Sequence, residues 1–152
     1  MVFVVNLGLF NRAIMNTAEL LKNKGIKKTA QRIMLIGILQ KKAMPLTEND
    51  IKTEMGELYD RITFYRTAQV LIQAGIIHKI TVDNITKYIL NDLHFPGEKK
   101  DHAHFFCKNC HSITCLDHHL PMEYKLPEGF RVDECEIVLK GTCPDCSQSM
   151  NP

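Results

Sequence analysis

Four cysteines form two C-x-x-C pairs, C-K-N-C at Cys107 and Cys110 and C-P-D-C at Cys143 and Cys146, separated by 32 residues. Two residues between cysteines let both thiolates of such a knuckle turn onto one ion. Two knuckles then supply the tetrahedral sulfur shell of a closed, structural zinc site. The competing chemistries are a redox C-x-x-C and a pair of disulfides. The redox reading calls for one such motif at the start of a helix within a βαβ unit, and the pattern shows none. All six cysteines and six of the seven histidines lie within residues 91–152. The leading residues lack a basic n-region, so a secretory leader is not expected and metal ligation is favoured over disulfides. A cytoplasmic protein follows, and its second half should depend on zinc for folding.

His102-Ala-His104 is the second constellation. In a strand, residues i and i+2 point to one face, so the two imidazoles converge. His94, His111, Cys115, Asp117, His118 and His119 are close in sequence. A site mixing imidazole with one thiolate or carboxylate would suit zinc or another late first-row divalent ion, and solvated surface histidines are the alternative. Cys115 and Cys135 are not needed by the knuckles and read equally well as small buried hydrophobes.

Catalytic patterns are missing. The first motif is H-A-H rather than the H-x-E of a zinc deaminase, and the proline lies inside the second knuckle. No G-x-S-x-G, phosphate-cradling glycine loop or H-E-x-x-H occurs. Four cysteines would leave a zinc ion no open position. Neither catalysis nor a small organic substrate is expected.

At 152 residues the chain holds one ordinary domain or two small ones, and 45% apolar with 24% charged residues is a globular composition. No run approaches the length of a membrane span, so no membrane partner is expected. Charge is divided unevenly. Residues 1–90 carry 13 Lys and Arg against 7 Asp and Glu, a net +6, whereas residues 91–152 carry 6 against 10, a net −4. A basic first half suggests a polyanionic partner.

The elements that would carry these residues follow from periodicity. Ile14 to Lys24 suits a short helix stopped at Gly25. Thr29 caps a second helix whose apolar positions Ile33, Leu35, Ile36, Ile38 and Leu39 offer a core face. After Pro45, Thr47 and Asp50 frame a capping box for a third helix. Asp60 opens a fourth, with Ile62, Leu71 and Ile72 available to the core. Two strand-like runs, IIHKITV and ITKYIL, flank the turn Asp83-Asn84. This is the order of a winged helix-turn-helix, with the third and fourth helices as the helix-turn-helix and residues 76–90 as the wing. Arg61, Thr63, Tyr65, Arg66, Thr67 and Gln69 are donors suited to phosphates and base edges. Tyr65 reads equally as a core aromatic. Residues 91–101 read as a linker. Beyond them the segment Phe130–Leu139 suggests two short strands or one bent strand. Residues 1–14 read as a disordered stretch or an upstream-start extension, because Met15 opens the better-patterned part.

A basic winged helix joined to a cysteine- and histidine-rich β module resembles the ferric uptake regulator family of bacterial metal-responsive repressors. The resemblance rests on T-A-Q-R at 29–32, I-T-F-Y-R-T at 62–67 with A-G-I-I at 74–77, H-A-H-F-F-C-K-N-C at 102–110 and G-T-C-P-D-C at 141–146. It implies an α+β chain: a winged-helix DNA-binding domain over 1–90, a linker over 91–101 and a metal-binding dimerisation domain over 102–152. It also implies a homodimer that binds a palindromic double-stranded DNA operator when a regulatory metal is bound, with Tyr65 and Arg66 contacting the groove. The knuckle cysteines match the family's structural zinc site, and His102 and His104 match its paired sensory histidines. Cys115 stands where a carboxylate ligand is usual, and His94 is the candidate ligand from the interdomain segment. The histidine usual before the third helix is replaced by the stretch Lys42 to Pro45. In the accessory site Ala103 replaces a carboxylate and Cys135 a histidine. A thiolate at Cys115 shifts the expected regulatory ion toward Zn2+ and away from Fe2+. A thiol-based redox regulator and a non-regulatory zinc-ribbon interaction module are the other readings.

Overall fold

The computed structural model of the chain describes residues 16–91, 103–116, 125–132 and 135–149. Each of the first helices is bounded by a side-chain cap that the local sequence provides. Helix α1, Thr17–Asn23, starts at Asn16, whose side chain accepts from the N–H groups of Ala18 and Glu19. It ends where Gly25 takes φ 67° and Ile26 N–H donates back to Leu21. Helix α2, Ala30–Lys42, is capped by Thr29 and stops at Ala43 in the left-handed region. Its buried face is Leu35, Ile36, Ile38 and Leu39, while Ile33 is 40% exposed and lies off the expected core stripe.

Strand β1, Leu46–Thr47, is a short element that periodicity did not indicate, and it runs directly into helix α3, Glu48–Met55. The capping box forms as expected: Asp50 N–H donates to Thr47 Oγ1, and Thr47 N–H donates to Asp50 Oδ2 at 2.8 Å. A 3-10 turn over Gly56–Leu58 leads to helix α4, Arg61–Gln73, which begins with Asp60 accepting from Thr63 N–H at 2.7 Å. Phe64, Thr67, Ala68 and Leu71 recur at helical spacing and form its buried face. Ile62 points the other way and is 64% exposed, so it is not a core residue.

Strands β2, Ile77–Val82, and β3, Ile85–Leu90, form the wing around Asp83 (φ 50°) and Asn84 (φ 64°). Two consecutive positive φ values are what a two-residue type I′ hairpin needs. The sheet order is β1-β3-β2, all antiparallel. Ile77 and Tyr88 belong to the helical core, where the Tyr88 ring meets Phe64 edge-on with centroids 5.2 Å apart.

The second sheet has the order β5-β4-β6, from β4 (Ala103–Cys107), β5 (Ile113–Leu116) and β6 (Ile137–Gly141). Strands β4 and β5 are antiparallel, while β4 and β6 are parallel, with Cys107 paired to Gly141. The strand expected over Phe130–Leu139 is confined to Ile137–Gly141. Phe130 and Val132 precede it outside any strand and are exposed. Helix α5, Pro144–Ser149, follows the second sheet and was not anticipated.

The wing is covered on both sides. Alternation in β2 turns Ile77 toward the helices and turns His78, Ile80 and Val82 the opposite way. Ile80, Val82 and Ile89 form a second core with Phe106 of β4 and Ile113 of β5. Lys87 Nζ donates to the His111 carbonyl at 2.8 Å, and Lys140 pairs with Asp83 at 2.5 Å. Among the described residues no helix is long and apolar enough to cross a membrane.

Candidate metal centres

The parallel pairing of β4 and β6 brings both knuckles to the same end of the sheet. Cys107 and Cys110 leave the end of β4, and Cys143 and Cys146 leave the end of β6 beside it. The four sulfurs lie within 4.8 Å of one another, and Cys110 and Cys143 are 3.8 Å apart. A Zn–S bond of about 2.3 Å sets neighbouring tetrahedral sulfurs about 3.8 Å apart, so the donor set fits that ion. None of the six cysteines is disulfide-bonded.

Backbone geometry supports the thiolate form. Cys143 N–H donates to Cys107 Sγ at 3.3 Å. The N–H group of Cys110, followed by those of Cys143 and Asn109, holds the Cys107 thiol down to about 6. The hydroxyl and N–H of Ser112 lower the Cys110 thiol as well. Cys146 is pushed up to about 12, because Cys143 and Cys110 already crowd it with sulfur. A bound dication would displace the proton from a thiol raised in this way. The second C-x-x-C does begin a helix, one feature of a redox motif, yet its cysteines face two further sulfurs instead of standing alone.

A second donor cluster lies at the junction of the two sheets. His104 of β4 and Cys115 of β5 are direct cross-strand partners, so their side chains share a face. His78 meets them from β2: its Nε2 is 3.2 Å from His104 Nε2, and the ligand atoms of all three residues lie within 4.8 Å. Zn–N bonds of about 2.0–2.1 Å would place two tetrahedral nitrogens about 3.3–3.4 Å apart, so these residues also fit a divalent ion. His104 is only 4% exposed, which excludes the solvated-histidine alternative for it. The next row of the same interface is the apolar pair Phe106 and Ile113, packed on Ile80 and Ile89.

Sequence reasoning missed His78. The signal was present: His78, Ile80 and Val82 occupy one face of a strand whose other face already supplies Ile77 to the helices. A wing that is apolar on both faces needs a cover, and a histidine in that row marks what the cover can bind. His94 and His102 lie outside the described residues, as do Asp117, His118, His119, most of the expected linker and residues 1–14. His111 takes φ 57° and stacks on Phe106, apart from both clusters. Cys135 is half-buried and joins neither donor set.

On helix α4, Arg61 and Arg66 are exposed, Thr63 is half-buried and Tyr65 is 43% exposed. At that exposure Tyr65 is not a core aromatic. Thr67 is only 7% exposed, because it follows Phe64 by one helical turn and shares its inward face; it is unavailable to a groove. Glu48 organises the exposed end of this helix. It accepts hydrogen bonds from Tyr59 and Tyr65, each at 2.5 Å, and pairs with Arg61 at 3.4 Å. Those hydroxyls lower the Glu48 carboxyl, and burial together with Glu48 pushes Tyr59 up to about 12.

A DNA-reading type of fold carrying two metal-ligand clusters defines a class, and comparison with known proteins gives the family. Residues 23–139 match the ferric uptake regulator family, and the chain belongs to it. A ferric uptake regulation protein of Synechococcus elongatus is 24% identical over 144 residues, covering 86% of this chain and 92% of that protein. Among solved structures, a zinc uptake regulator complexed with zinc and DNA has a TM-score of 0.67 at 18% identity, covering 87% of this chain and 91% of that one. The Vibrio cholerae ferric uptake regulator has a TM-score of 0.58 at 16% identity, covering 84% and 100%. The α+β architecture expected from the sequence is the one observed.

Proposed function

We propose that this member of the family is a homodimeric repressor that binds a palindromic DNA operator when a divalent ion, zinc in preference to iron, occupies the cluster between the wing and the second sheet. One observation carries the reading: His78 belongs to the DNA-reading half, His104 and Cys115 belong to the cysteine-rich half, and their donor atoms converge. An ion bound there supplies a reversible tie between the halves. Two imidazoles and a thiolate are borderline-to-soft donors, which supports zinc over iron. His94 and His102 are the candidates to complete the shell.

His78, His104 and Cys115 can hold the wing against β4 and β5 only in the closed arrangement, so ligation favours that arrangement over an open one. Domain limits of 1–90, 91–101 and 102–152 suit this scheme. Arg61, Thr63, Tyr65 and Arg66 are the proposed groove and phosphate contacts. The exposed apolar residues Leu126, Phe130, Val132 and Leu139 support self-association through the second half. Two recognition helices reading one face of a duplex would stand about 34 Å apart or a multiple of that.

Fluorescence anisotropy with duplex DNA, combined with native mass spectrometry, tests the reading. Zinc addition should tighten operator binding by the wild type. The double variant His78→Ala, His104→Ala should lose that response while retaining one tightly held zinc per chain. A variant that still responds fully to zinc would remove the cluster from the regulatory role.

A further inference from the structure

We propose that Asn91 is a positioning residue that fixes the ring tautomer of His78 for ligation and ties that ring to the end of the recognition helix. The inference rests on the regulatory reading of the His78 cluster and adds a residue to it.

Asn91 immediately follows β3, where its backbone N–H donates to the Ile76 carbonyl at 2.9 Å. Its side chain reaches two further groups. Nδ2 donates to the Gly75 carbonyl at 2.8 Å, and Oδ1 meets His78 Nδ1. The first contact determines the second. A carbonyl oxygen accepts only, so the amide must present its NH2 to Gly75 and its oxygen to His78. An oxygen there obliges His78 Nδ1 to carry the ring proton as donor. The other ring nitrogen, Nε2, then presents its lone pair toward His104 Nε2, 3.2 Å away, and toward the Cys115 sulfur. A neutral histidine without such a partner distributes its proton over both nitrogens, and the form protonated at Nε2 cannot ligate through that atom. Asn91 thus holds the ring in its ligating state and in its ligating orientation.

The same amide reaches the end of helix α4. Gly75 has φ 67° and closes the helix: its N–H donates to Ile72, and Ile76 N–H donates to Leu71. A chain of hydrogen bonds therefore runs from His78 Nδ1, the ring nitrogen opposite the one that faces the cluster, through Asn91 to the turn that terminates the helix bearing Arg61, Tyr65 and Arg66. Asn91 itself supplies no atom to the donor cluster in this arrangement, since its oxygen is occupied by the His78 ring.

The test uses the full-length, zinc-knuckle-loaded protein without added metal, at a pH of about 8 where ordinary imidazoles are neutral. Long-range 1H–15N correlation spectra report each histidine tautomer. His78 should be protonated at Nδ1 in the wild type, shift toward the Nε2-protonated form in Asn91→Ala, and return to Nδ1 in Asn91→Asp, whose carboxylate also accepts. Cobalt(II) titration is the second arm. Asn91→Ala should weaken the exchangeable site about 10–100-fold with unchanged tetrahedral absorption, and Asn91→Asp should recover that affinity. An Nε2-protonated His78 in the wild type overturns the proposal before any variant is made. Altered cobalt absorption in Asn91→Ala would overturn it too, by making Asn91 a direct ligand. A wild type that takes up no exchangeable cobalt counts against the regulator reading, whereas the tautomer measurement is made without that ion.

Discussion

Tyr65 donates its phenolic hydrogen to Glu48 Oε2 at 2.5 Å, so the exposed aromatic residue of helix α4 is held by a carboxylate on the preceding helix. Arg61 pairs with the same carboxylate and lies over the Tyr65 ring, 5.7 Å from its centroid. One negative charge therefore orients two proposed DNA contacts and competes with phosphate for one of them. Glu48→Gln keeps a hydrogen-bond acceptor and removes the charge. Operator binding should become steeper in its salt dependence by about one unit of slope, as Arg61 is released to a phosphate. An unchanged slope in binding isotherms across a salt series would place Arg61 away from the backbone.

Acid should loosen the winged helix through its caps. Glu48, Asp50 and Asp60 are all lowered by hydrogen bonds, from Tyr59 and Tyr65, from Thr47, and from Thr63. A carboxyl depressed in the folded state stabilises the fold above its unfolded value of about 4, and that contribution fades as pH falls through the lower folded value. Thermal midpoints should therefore be insensitive to these groups near pH 7 and decline below about pH 4. Removing the Thr47 cap with Thr47→Ala should cost about 1 kcal/mol, read by denaturant unfolding.

Phe106 is the largest apolar side chain at the junction of the two sheets, 1% exposed and packed with Ile80, Val82 and Ile89. Phe106→Ala should destabilise the protein by about 3–5 kcal/mol. Because the adjacent row on β4 is His104, it should also weaken zinc-dependent operator binding while leaving the knuckle zinc in place. Retention of the full zinc response alongside the stability loss would separate the apolar contact from the switch.

Cys143→Ser removes a sulfur whose backbone N–H also serves Cys107. One zinc per chain should be lost in a colorimetric release assay, together with cooperative unfolding of the second sheet. The winged helix, whose core shares no residue with the knuckles, should keep its helical circular dichroism. Survival of an intact second sheet without that zinc would remove the structural role from the knuckles.

The first four helices, their caps and the wing were legible because short-range rules govern them: Thr29, Thr47, Asp60 and the Asp83-Asn84 turn each act over a few residues. The four-cysteine centre was legible because its spacing leaves few other uses for the thiols. What escaped was set by tertiary packing. His78 meets His104 and Cys115 only because a second sheet covers the wing, and Thr67 turns inward only because Phe64 anchors its face of helix α4. Ile62 shows the converse, an apolar residue left on the exposed side of that helix.

The parallel alignment of β4 and β6 explains the long spacer between the two cysteine pairs. Parallel neighbours cannot be joined by a tight turn; the chain must travel back the full length of the sheet before starting again. In return, both pairs emerge side by side, because Cys107 and Gly141 stand in register at the ends of β4 and β6. The number of residues between the pairs is thus uncoupled from the placing of the sulfurs, which depends on the register of two neighbouring strands alone.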